Sequence, residues 1–188
     1  MSSHRGIGQL AFIAWKVARF KTNVLMLRSR ISASPGLGML GPRSYLRVVR
    51  GGRLQLGERP SIAEGAVMWT NAVVTVGDRF FLGSNSRIVA YENIEIGNDV
   101  SIADMVSIID HDHEYHLEGG RLMIEKGSFD TAPIRIGSNV WLGDKVTVLK
   151  GVTISDDVIV AANSVVTKDV PPRVVVAGAP ARVIREIT

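Results

Sequence analysis

From Ile136 to Val166 a medium-sized aliphatic residue recurs every six positions, at Ile136, Leu142, Val148, Ile154, Val160 and Val166. Four positions behind each lies a second apolar residue, at Val140, Val146, Val152 and Val158, with Ser164 interrupting before Val170. A step of six matches neither the 3.6-residue period of a helix nor the alternation of long strands. It suits a chain that lays down a very short strand, turns a corner and repeats. Three hexads then make one coil of about eighteen residues, and stacked coils bury the aliphatics in a continuous core. The spacing predicts a parallel β-helix. An ordinary sandwich would need longer strands with turn signals at varied intervals.

The register extends upstream less regularly. Leu56 and Ile62, then Val76, Leu82 and Ile88, then Ile96, Ile102 and Ile108 continue the pattern, with Val100 and Val106 as companions. The step from Ile88 to Ile96 is eight, so one corner carries two extra residues. Between Ile108 and Ile136 the hexads stop. The expected organisation is a basic helical arm and linker over 1–53, a β-helix over 54–171 with an excursion loop at about 113–133, and a closing segment over 172–188.

Charge is unevenly placed. Ten Lys/Arg and no Asp or Glu precede Glu58, whereas the remainder holds twelve basic and eighteen acidic residues. The arm reads as an amphipathic helix from about Gly8 to Arg30, followed by SASPGLGMLGPRS, rich in turn formers, as a linker. Its longest uncharged run, Gly6 to Trp15, is ten residues, well below the ~20 that span a bilayer. No small-residue cleavage site follows, so the segment is not read as a signal peptide. Two dispositions fit: a helix laid on an anionic membrane face, or one packed on the body or on a neighbouring subunit. Nucleic-acid binding is not expected from an acidic body without a recognition motif. Cysteine is absent, which removes disulfide and thiolate-zinc frameworks and suits a reducing compartment.

The interruption opens on IIDHDHEYH, which gathers three of the four histidines within six residues. Imidazole is suited to moving a proton near neutral pH. One histidine can act as a general base with Asp110, Asp112 or Glu114 orienting its other nitrogen. A zinc site built on His111 and His116 would need a third imidazole from an earlier coil, and the only histidine outside the loop is His4; no metal is expected.

The hexads, the histidine-bearing loop and NVWLGDKVTVLKGVTISDDVIVAANSVVTKDVPPRVVVAGAPARVIREI together resemble the hexapeptide-repeat acyltransferases, especially their galactoside and maltose O-acetyltransferase branch. The likeness covers roughly residues 54–188. It implies an all-β, left-handed parallel β-helix, a homotrimer, acetyl-CoA as donor, and sites in clefts between subunits. Counting five positions past Ile108 puts the family's catalytic histidine at His113, with His111 as runner-up. Asp144, Ala162, Thr167, Lys168, Arg182 and Arg185 match positions that line the coenzyme groove, the two arginines meeting its phosphates. The acceptor side departs from the family: Gly83, followed by Ser84 and Asn85, stands where a hydroxyl-binding Asn is usual, and Tyr91 stands where an Asp is usual. Asn85 and Tyr91 are the candidate acceptor residues. The resemblance implies O-acetylation of a sugar hydroxyl by direct transfer. The departures on the acceptor side, with a basic arm in place of the family's usual helical start, suggest a sugar in polysaccharide or lipid-linked glycan synthesis, handled at the cytoplasmic side with contact at the inner membrane face through the arm. The alternatives are an N-acetyltransferase on an amino sugar nucleotide and a non-catalytic scaffold.

Overall fold

The computed structural model describes residues 3–26, 30–34, 38–49 and 51–188. After an α-helix, Ser3–Met26, the chain winds through three parallel sheets that form the three faces of a prism. The first face stacks Ile31–Ala33, Arg53–Leu56, Val73–Val76, Asn93–Ile96, Ile134–Ile136 and Thr153–Ile154. The second runs from Met39–Leu40 through Ser61–Ile62, Phe81–Leu82, Ser101–Ile102, Trp141–Leu142 and Ile159–Val160 to Val174–Ala177. The third stacks Tyr45–Val48, Val67–Thr70, Arg87–Ala90, Ser107–Ile109, Thr147–Val148 and Val165–Val166. This is the left-handed parallel β-helix that the hexads and the resemblance imply.

Each inward aliphatic sits above its equivalent in the next coil. On the second face Ile62, Leu82, Ile102, Leu142 and Val160 form one column, all of them buried. The step is 20 residues in the early coils and 18 in the last. The two extra residues lie at the edge between the third and first faces, at Asn71-Ala72 and Tyr91-Glu92, where four-residue strands meet.

The other edges turn on residues with positive φ, such as Arg79 (55°), Asp99 (56°) and Asn139 (55°). That conformation is unfavourable for a side-chain-bearing residue. Here it is offset by hydrogen bonds that repeat from coil to coil: the amides of Glu58, Asp78, Asn98 and Ser138 donate to side chains of Asp78, Asn98, Ser138 and Asp156. Arg79 and Asp99 also pair across successive coils.

The body begins earlier than the sequence predicts. Ile31–Ala33, Met39–Leu40 and Tyr45–Val48 make a complete first coil within the stretch expected as a linker. Strands of two to four residues separated by Gly, Pro and Arg corners carry too few apolar positions to reveal their register. Ile31, Leu40, Leu46 and Val48 are nonetheless buried. The helix covers this open end: Phe20, 4% exposed, packs against Gly38, and Val24 lies on the core.

The excursion has its own structure. His111–Glu118 and Arg121–Thr131 pair as an antiparallel hairpin with a register shift between His113 and Tyr115. The closing segment divides: Val174–Ala177 extends the second face, and Arg182–Glu186 folds back antiparallel along it.

Candidate active site

The hairpin leaves the prism at the third–first edge, where earlier coils carry their extra residues. Asp110 is the last residue before it and is completely buried (0% exposed). Its carboxylate lies beneath the corner of the preceding coil and accepts three backbone N–H groups: Tyr91 to Oδ1 (2.8 Å), Glu92 to Oδ2 (2.8 Å) and Asn93 to Oδ2 (3.0 Å). A buried carboxylate is tolerated only when its lone pairs are filled in this way.

His111 Nδ1 lies 3.4 Å from Oδ1 of Asp110, and its side chain is 15% exposed. The imidazole rests on Tyr91 at 4.2 Å between centroids and meets the edge of Phe129 at 5.1 Å. Tyr91 also touches Phe129 (4.4 Å) and Trp69 (4.9 Å). Coil stacking and the hairpin thus gather an aromatic wall around one half-buried imidazole. His113 is exposed on the same hairpin strand and also packs on Phe129, at 4.8 Å. Of the three carboxylates that could orient a histidine, Asp110 contacts His111, Asp112 pairs with Lys150 (3.2 Å), and Glu114 is exposed.

Lys150, from the next coil, also pairs with Asp130 and so joins both hairpin strands at their base. Its ammonium is held above the usual lysine range, first by the hydrogen bond to Asp130 and also by Asp112.

The remaining candidates lie elsewhere. Asn85 and Asp144 stand at the second–third edge, not beside Tyr91. Asn85 turns that corner at φ 56°, and its N–H donates to the carbonyl of Glu64. Gly83 is fixed by packing, because a Cβ there would run into the backbone of Ala103. Asp144 accepts the N–H of Asp104 (3.1 Å). With Ala103, Trp141, Gly143 and Ala162 it lines a groove of about 320 Å³. Lys168 and Arg182 share a second groove of about 210 Å³ with Pro171 and Ala181. Thr167 and Arg185 are exposed near that end. Within one protomer, the histidine and the Asp144–Ala162 groove occupy different edges of the prism. Among the described residues no group of three His, Asp or Glu converges as metal ligands.

Trp69, Phe129 and the buried role of Asp110 escaped the sequence reading. One available signal was Gly119-Gly120, whose φ values of 55° and 77° make the hairpin turn; Gly-Gly between strand-like runs marks such a turn. Nothing local ties Trp69 to Phe129, which meet through Tyr91 only once the coils stack.

Two family models match the chain: bacterial transferase hexapeptide (six repeats) over residues 133–168, and hexapeptide repeat of succinyl-transferase over residues 73–103. A galactoside O-acetyltransferase of Escherichia coli K12 is 42% identical over 114 residues, which is 61% of this chain and 54% of the relative. The chain spans 54–61% of the length of the first curated relatives it matches. A maltose O-acetyltransferase from Clostridium difficile 630 shares the fold with a TM-score of 0.56 at 24% identity, over 94% of this chain and 88% of that one. A variant of an N-acyltransferase from Bacillus cereus, solved with dTDP and coenzyme A, superposes with a TM-score of 0.68 at 17% identity, over 87% and 88%.

Proposed function

We propose that the chain is a hexapeptide-repeat acyltransferase, in keeping with the two family models that match it, and that it is an acetyl-CoA-dependent O-acetyltransferase acting on a sugar hydroxyl. The observation that carries this reading is His111 held between a buried carboxylate and an aromatic wall. With its proton on Nδ1 directed at Asp110, the neutral ring keeps the Nε2 lone pair free for an acceptor hydroxyl. As the hydroxyl proton moves to Nε2, the hydroxyl oxygen attacks the thioester carbonyl. The C–O bond forms, the C–S bond breaks, and the leaving thiolate takes the proton back from the imidazolium. No covalent enzyme intermediate is required.

This arrangement favours His111 over His113 as the base, since only His111 contacts a fixed carboxylate. Trp69, Tyr91 and Phe129 offer apolar faces to the C–H side of a sugar ring. Asp144, Ala162, Thr167, Lys168, Arg182 and Arg185 would hold the coenzyme, the arginines meeting its phosphates. Because the histidine and the Asp144–Ala162 groove stand on different edges, one protomer's groove would serve its neighbour's histidine, as in a homotrimer. The galactoside O-acetyltransferase among the relatives supports a sugar acceptor; polysaccharide or lipid-linked glycan synthesis is the pathway we infer, and an acetyl-CoA donor fits a cytoplasmic setting.

The fold shared with an N-acyltransferase favours a second reading, transfer to an amino sugar nucleotide. Thiol release from acetyl-CoA, followed with hydroxyl and amine acceptors, separates the two. Transfer to hydroxyl sugars that disappears in His111→Ala and persists in His113→Ala supports the reading. A wild-type protein inert toward every acceptor would leave a non-catalytic scaffold, and undiminished turnover in His111→Ala would remove the assigned base.

A further inference from the structure

The N-terminal helix is only half used by the fold. Leu10, Ile13, Val17, Phe20 and Val24 follow one helical stripe, and its C-terminal half is docked. Phe20 is buried, Val24 lies on the core, and the Arg19 guanidinium donates to the carbonyls of Gly41 and Ser44. The N-terminal half is uncovered from Gln9 to Trp15. Leu10 (69%) and Trp15 (44%) are exposed, as are Phe12 and Ile13. Leu10–Trp15 contains no charged residue. Such apolar density on a surface needs a partner.

The charges beside it indicate which partner. Phe12 and Trp15 stack at 5.7 Å. Lys16 lies 4.6 Å from the Phe12 centroid, and Arg19 lies 5.0 Å from the Trp15 centroid. Aromatic rings next to cations belong at the boundary between acyl chains and headgroups. Up to Gly57 the sequence carries ten Lys/Arg and no Asp or Glu, so charge in this part of the chain is of one sign. No described helix is long and apolar enough to cross a membrane.

We propose that this exposed half-helix is a docking surface for an anionic lipid bilayer, with Phe12 and Trp15 inserted among the headgroups. The buried Phe20 joins it rigidly to the β-helix, so the prism is held end-on at the membrane. The inference is independent of the transfer chemistry.

The test is flotation of the full chain with phosphatidylcholine vesicles, with and without phosphatidylglycerol, at low and high salt. Binding only to the anionic vesicles, weakened by salt, is the expected result. Phe12→Glu/Trp15→Glu should lower the partition coefficient by roughly tenfold or more, with melting temperature and oligomeric state unchanged. Absence of wild-type binding, equal binding to neutral vesicles, or undiminished binding of the variant would overturn the proposal. So would a variant that changes the oligomeric state, since the face would then belong to a contact between copies.

Discussion

Oδ1 of Asp110 lies 3.4 Å from Nδ1 of His111 while the same carboxylate accepts three amides from the coil above. One side chain therefore ties the stacking of two coils to the placement of an imidazole. The carboxylate is fixed by backbone, so the histidine leans on a partner that cannot swing away.

Asp110→Ala should be costly to the fold. It strips the acceptor from three part-buried N–H groups, each worth about 1 kcal/mol when left unmet. A loss of roughly 3 kcal/mol in urea unfolding is expected, and one below about 1 kcal/mol would mean the corner reorganises. Asp110→Asn keeps an acceptor and should unfold closer to wild type, yet transfer acetyl more slowly, because an amide cannot hold the imidazolium as a carboxylate does.

If His111 is the base, His111→Ala should reduce kcat by about 10²–10⁴, the usual range for a positioned acid–base group. Melting should fall as well, since the ring is only 15% exposed and packs on Tyr91 and Phe129, so turnover is compared at a temperature where both variants are folded. His113→Ala should stay within severalfold of wild type. Single-turnover rates for the two variants decide the assignment, and a reversed ranking would restore His113.

The column Ile102, Leu142, Val160 has no exposed member. Leu142→Ala should cost about 2–5 kcal/mol, since neighbours locked above and below cannot collapse into the void. Chemical denaturation measures this, and a cost under ~1 kcal/mol would argue for a loosely packed prism.

How much of this was legible follows from the same packing. Ile136, Leu142 and Val148 announced the coils because a buried column demands the same kind of side chain at every level. Ile31, Leu40 and Leu46 obey the same demand, but uneven corners hid their spacing and the first coil read as a linker. The histidine cluster marked the site by composition. Its ranking could not be read, because burial of Asp110 depends on amides of Tyr91, Glu92 and Asn93 in another coil. Asn85 and Tyr91 seemed paired in sequence, yet the four-residue strand Arg87–Ala90 between them carries them to different edges of the prism.

If Arg182 and Arg185 meet the phosphates, Arg182→Ala/Arg185→Ala should raise KM for acetyl-CoA by about tenfold or more, with kcat nearly unchanged, the pattern of lost ground-state binding. Both are exposed, so melting should not move. An unaltered KM would assign the phosphates to other groups.

Lys150 gives a prediction in pH. Its hydrogen bonds to Asp130 and Asp112 raise its pKa above the ordinary 10.5, so the folded state binds that proton more tightly than the unfolded chain does. The stabilisation is fully present below the ordinary value and is lost as pH climbs through the raised one. Lys150→Met should therefore melt below wild type by a margin that is constant from neutrality to about pH 9–10, and the margin should close in more alkaline solution. Because the lysine joins Asp112 to Asp130 at the base of the hairpin, its loss should also slow acetyl transfer by loosening Phe129 against His111. A margin that widens with alkalinity would show that the ammonium does not stabilise the clamp.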